Sequence, residues 1–104
     1  MEINQLKQSF LKDSIRIAFL ELGEIHYKYG FVNESIKAWI KSHDFSTSQE
    51  DLFKSAFHIA KAAFELQNPS YLFKYNSEAE ARDPGTNKVS TNTIKILDGL
   101  AYLI

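Results

Sequence analysis

The 104-residue sequence contains no cysteine, which excludes a disulfide framework, a thiolate metal site and a cysteine nucleophile. A reducing compartment is compatible with that composition. An excess of either charge is also missing: twelve basic residues face thirteen acidic ones, for a net charge of -1. That balance excludes the electrostatic footprint of a nucleic-acid binder or a polybasic membrane anchor. No apolar run approaches the ~20 residues that a membrane-spanning helix needs. The start, Met1 to Phe10, lacks the basic cap and apolar core of a signal peptide. These absences leave a soluble, intracellular, globular chain, long enough for one small domain and one modest core.

Glycine and proline are scarce as well, four and two respectively, and their positions divide the chain. Gly30, Pro69 and Pro84-Gly85 separate long stretches of helix-forming residues, while Gly23 and Gly99 lie inside such stretches. No segment alternates apolar and polar residues, so no strand is expected. The first stretch, Ile3 to Tyr29, reads as one helix or two, with Ile3, Leu6, Phe10, Ile17 and Leu20 as its buried stripe. Gly30 ends it, because glycine enters the left-handed conformation cheaply. A second helix, Asn33 to Ser42, is capped by Asn33, with Ile36, Trp39 and Ile40 as its apolar edge. After a loop from His43 to Ser48, Thr47 and Glu50 have capping-box spacing, which predicts a third helix from Ser48 to Leu66. Asn68-Pro69 then opens a fourth, ending near Ala81. A loop from Arg82 to Ser90 leads to a fifth, starting near Thr91 and running to the end of the chain.

A period links these helices. Phe19, Leu22, Gly23, His26, Tyr27 and Gly30, followed by Ser35, Ile36, Trp39 and Ser42, follow the tetratricopeptide helix–turn–helix pattern. Gly23 admits the partner helix closely, while Leu22, Ile36 and Trp39 fill the groove. Ala56, Ile59, Ala60, Ala63 and Phe64 repeat the offsets 37 residues later, with Leu72-Phe73 and Ala79 on the second helix. Gly99 and Tyr102 bring a third copy into register. The expected fold is therefore all-α: TPR-like helix–turn–helix repeats over residues 1–104, stacked as a short right-handed solenoid of about five helices. An unrelated helical bundle is the alternative. Leu97, Leu100, Leu103 and Ile104 leave an apolar end, which predicts a fragment of a longer protein and self-association in isolation.

No catalytic, cofactor-binding or metal-ligating set emerges. The glycines are not spaced as a phosphate loop. His26 stands at a packing position, His43 at a helix C-terminus where an imidazole favours free carbonyls, and His58 has no second ligand at helical spacing. Glu21 and Glu24 read as a solvated face rather than an acid/base pair. Glu78, Glu80, Arg82 and Asp83 read as solvated surface or a partner-contact edge. Most of Tyr27, Tyr29, Phe31, Tyr71, Phe73 and Tyr75 are expected in the core, two or three serving as partner anchors. A small helical enzyme or ligand-binding bundle would need a polar cluster inside the core, for which His26 with Tyr27 is the best candidate.

From Leu11 onward the ordered series Asp13-Ser14-Ile15-Arg16, Leu22-Gly23-Glu24-Ile25-His26-Tyr27, Gly30 and Ser42-His43-Asp44-Phe45-Ser46-Thr47-Ser48 resembles the subunit 1 family of the COP9 signalosome. Phe64 to Asn68, Tyr75 to Glu80 and Gly99 to Leu103 continue the similarity in order. His43 stands where that family has Arg and Ser46 where it has Cys. The Asp83 to Ser90 loop is longer, so no contact of that loop is carried over. The resemblance implies an N-terminal helical-repeat region preceding a C-terminal PCI domain absent from this chain. It also implies a non-catalytic scaffold role in a complex that removes Nedd8 from cullins, in the nucleus and cytoplasm. The implied partners are other signalosome subunits and cullin-RING ligase components, with no nucleic acid, membrane or cofactor. The paralogous subunit of the 26S proteasome regulatory lid is the alternative.

Overall fold

The computed structural model describes the backbone of residues 3–104 and the side chains from residue 7 onward. Five helices follow one another: α1 (Ile3–Lys28), α2 (Val32–Asp44), α3 (Gln49–Glu65), α4 (Pro69–Arg82) and α5 (Lys88–Leu100), the last continued by a 3₁₀ turn at Ala101–Leu103. No strand occurs among the described residues. The fold is all-α, as expected, and the first stretch is a single helix. The chain divides into two compact units, one ending at Ser46 and one spanning Thr47–Ile104.

In the first unit α1 and α2 form a hairpin. The turn between them is closed by backbone alone: Phe31 N–H donates to the His26 carbonyl at 2.8 Å and Gly30 N–H to that of Tyr27 at 3.1 Å, with Gly30 at φ +86°. This is the Schellman arrangement, in which a left-handed residue satisfies the free carbonyls of a helix end. The His26 and Phe31 rings meet edge to face at 6.3 Å across it. Because the turn passes directly into α2, Phe31 occupies the capping position and Asn33 lies inside the helix, contrary to the expected Asn33 cap. The Ser35 hydroxyl, one turn in, donates to the Phe31 carbonyl at 3.1 Å.

Gly23 sets the distance between the two helices. A Cβ there would lie 2.3 Å from Trp39 Nε1, so the indole occupies the space a side chain would need. Trp39 Nε1 donates to the Leu20 carbonyl at 3.3 Å, and the Ser42 hydroxyl to that of Arg16 at 2.8 Å. Ile36 and Trp39 are buried. Other expectations fail here. Leu22 is 40% exposed and does not fill the groove; Phe10 and Ile17 of the predicted stripe are 72% and 40% exposed, while Ile3 and Leu6 lie outside the described side chains. The reason is geometric. The side chains of α1 that pack toward α2 centre on Phe19, Leu20 and Gly23, and a second apolar stripe (Leu11, Ile15, Leu22, Ile25) runs along another face of the same helix.

The second unit repeats the hairpin. Ser48, rather than Thr47, caps α3, accepting from Asp51 N–H at 3.1 Å, and His43 and Asp44 belong to α2 instead of a loop. At the end of α3, Asn68 N–H donates to the Ala63 carbonyl and Gln67 N–H to that of Phe64, both at 2.9 Å, with Gln67 at φ +54°. This Schellman turn lies 37 residues after the one at Gly30, the period read from the sequence. Asn68 caps α4 as expected, accepting from Tyr71 N–H at 3.1 Å. Ala56, Ala60 and Ala63 are fully buried, and such small residues let α3 and α4 approach toward the ~8 Å lower limit of helix packing.

Asn87 caps α5, accepting from Val89 and Ser90 N–H at 2.9 and 3.2 Å, so that helix starts three residues before the expected Thr91. Ile94 and Leu97 of α5 and Ala101 of the 3₁₀ turn are buried against the hairpin, and Asn76 Nδ2 donates to the Ile94 carbonyl at 3.0 Å. Leu100 is half-buried and Leu103 and Ile104 are exposed. Gly99, expected to repeat the close packing of Gly23, is exposed with open space around its Cα.

Candidate functional site

Of the aromatic residues near the turns, only Tyr75 is buried; Tyr27, Tyr29, Phe31, Tyr71 and Phe73 are exposed, contrary to the expectation that most would be core. Two brace their own unit: Tyr27 packs on Trp39 at 5.7 Å between ring centres, and Phe73 meets Tyr102 edge to face at 5.1 Å. The charged group at the end of α4 is likewise more than solvated surface. Arg82 Nε donates to Glu78 at 3.2 Å and its Nη1 to Gln49 Oε1 at 2.7 Å, tying α4 to the start of α3. Asp83 accepts from Gly85 N–H at 2.9 Å and from the Thr91 hydroxyl at 2.7 Å, tying the loop to α5.

The three histidines end in different settings. His26 packs at the first turn and His43 is buried in the last turn of α2. His26 is half-buried and Tyr27 exposed, so that pair lies outside the core. Glu21 and Glu24 both face solvent. Among the described residues no three His, Asp or Glu side chains are placed to hold a metal ion, and no helix is long and apolar enough to cross a membrane.

His58 is the exception. It lines a groove of about 520 Å³ in the second unit, between the exposed side of α3 and the α4–α5 loop. The floor is aromatic: Phe53 and Phe57, one helical turn apart on α3, stack at 5.7 Å with their planes 9° from parallel. Lys54 and Arg82 stand at its sides, Thr86 and Ser90 on the far wall, and Lys61 Nζ lies 4.6 Å over the Phe57 ring. Glu50, also lining the groove, pairs with Lys54 at 2.9 Å, both side chains mostly exposed. Burial first, then the charges of Lys61 and Lys54, hold the His58 imidazole below the ordinary 6.5, so it is neutral at pH 7. The spacing Phe53, Lys54, Phe57, His58 and Lys61 carries the helical half of this groove in the sequence. Arg82 and the loop reach it only through the tertiary fold.

Hairpins built on one 37-residue period, with a small residue at the helix crossing of each, define a helical-repeat protein. Residues 1–104 match the family described as 26S proteasome subunit RPN7, and the chain belongs to that family. It is also similar to COP9 signalosome complex subunit 1 of Arabidopsis thaliana, 22% identical over 103 residues. That alignment covers 98% of this chain and 23% of the plant protein, so the chain spans less than a quarter of that relative's length. No solved structure matches it. Both similarities agree with the family resemblance carried by the residues from Leu11 onward.

Proposed function

We propose that this chain is the helical-repeat segment of a non-catalytic scaffold subunit of the COP9 signalosome, the complex that removes Nedd8 from cullins. Its partners are then the neighbouring signalosome subunits and, through them, cullin-RING ligase components, in the nucleus and cytoplasm. The observation that carries the reading is the similarity to a signalosome subunit across nearly the whole chain. Such a subunit contributes position: stacked hairpins present surface side chains at fixed spacing to the proteins it joins. A second reading, the equivalent segment of the proteasome regulatory lid, is favoured by the family description itself. The test is reconstitution. The full gene product is added to signalosome particles assembled without subunit 1, and Nedd8 release from a conjugated cullin is followed. Restored release supports the first reading; no incorporation into the particle overturns it.

A further inference from the structure

We propose that the groove between α3 and the α4–α5 loop docks an acidic, extended peptide segment of a partner protein that places one aromatic or large aliphatic side chain on the Phe53–Phe57 floor. The proposal rests on the scaffold reading only in taking the occupant to be protein.

Three observations carry it. The first is shape and chemistry together. A recess of about 520 Å³ with an apolar floor and hydroxyl groups on one wall falls in the size range of sites for small ligands and short peptide segments. Stacked aromatic rings that remain half-exposed at its base are the kind of surface on which an anchoring side chain gains binding energy. The second is charge. Lys54, Lys61 and Arg82 surround the floor, while the acids near them, Glu50 and Glu78, are each engaged with one of those cations. The Lys54–Glu50 pair is a one-turn surface pair of the weak kind, so an incoming carboxylate can replace Glu50 at little cost.

The third is the field inside the recess. Lys61 and Lys54 both act on His58 in the direction of a positive potential. A basic segment would find three cations against two acids, each acid already engaged with one of those cations. A nucleic acid would bring phosphates to the same cations but find a chain of net charge -1 beyond them.

The experiment uses the 104-residue chain and three fluorescein-labelled decapeptides: one rich in Asp and Glu with a central Phe, its counterpart with Lys at the acidic positions, and its counterpart with Gly in place of Phe. Fluorescence anisotropy gives affinity, and the His58 imidazole proton resonances report occupancy of the groove. The acidic Phe peptide is expected to shift the His58 resonances and to bind at least about tenfold more tightly than either counterpart. The Lys54→Glu/Lys61→Glu variant, altered only at exposed positions, is expected to weaken it by about tenfold as well. Phe57→Leu, which removes one ring of the floor but keeps an apolar side chain, is expected to weaken it less. Equal binding of the Lys counterpart, shifts that spare His58, or no shift at millimolar peptide would each overturn the proposal. Because this readout involves no signalosome component, its failure leaves the scaffold reading standing, and failure of the reconstitution leaves the groove standing.

Discussion

Replacing Gly23 with alanine tests the packing of the first hairpin more sharply than any truncation. In an exposed helix the change is favourable by about 1 kcal/mol, because alanine loses less backbone entropy than glycine. At this position the new methyl would lie 2.3 Å from Nε1, 2.4 Å from Cδ1 and 2.9 Å from Cε2 of Trp39. All three atoms belong to a rigid ring that cannot bend away, so α2 must move outward as a body. Overpacking of this kind costs about 1–3 kcal/mol. Moving the indole also lengthens its bond to the Leu20 carbonyl, whose net worth is about 1 kcal/mol. The expected balance is a loss of about 2 kcal/mol. Gly99→Ala is the internal control: the same substitution in open space is expected to be neutral or stabilising by up to about 1 kcal/mol. Urea unfolding followed by the fluorescence of Trp39, the single tryptophan, and by circular dichroism at the helix band gives both values. Gly23→Ala as stable as the parent chain, or the same sign for both variants, would refute the close-packed crossing.

Gln67 holds a left-handed conformation at the end of α3, so Gln67→Gly is expected to raise the melting temperature by relieving about 1 kcal/mol; a lower value would count against the Schellman turn. Asn87→Ala removes the acceptor for two N–H groups and is expected to cost about 1 kcal/mol, with faster amide exchange at Val89 and Ser90. His58 titrates lower in the folded chain than its ordinary 6.5. Below that value the unfolded chain therefore binds a proton that the folded chain refuses, and stability is lost as pH falls through 6.5 toward the folded value. The urea midpoint is expected to drop over that range in the parent chain and less so in His58→Gln; identical pH profiles would contradict the assignment.

What could be read from the sequence was local chemistry. Asn68-Pro69 marks the start of α4 because a capping side chain and a proline lacking an N–H both act within one turn. Gly30 marks the end of α1 for the same local reason. Asn33 misled because the turn at Gly30 leads into α2 at Val32, which places Asn33 inside the helix and Phe31, whose side chain has no acceptor, at the cap. The faces of α1 were unreadable for a different reason. A helix with apolar residues on two faces shows periodicity on both, and nothing local tells which face meets α2; only Gly23 beneath Trp39 decides it. Gly99 shares the repeat offset of Gly23 yet lies open, so register alone does not establish a crossing. At the groove, Phe53, Phe57 and His58 stand at helical spacing in the sequence, but nothing local marks that face as a recess, so the groove was not legible there. The bond from Arg82 to Gln49, 33 residues away in sequence, arises only when α4 folds back on α3.

The central claim, a scaffold segment working inside the signalosome, is tested most directly by affinity purification of the full gene product from native lysate with mass spectrometry of what it retains. The account predicts recovery of the other signalosome subunits together with a cullin. Recovery of proteasome lid subunits in their place would contradict it and transfer the chain to the second reading.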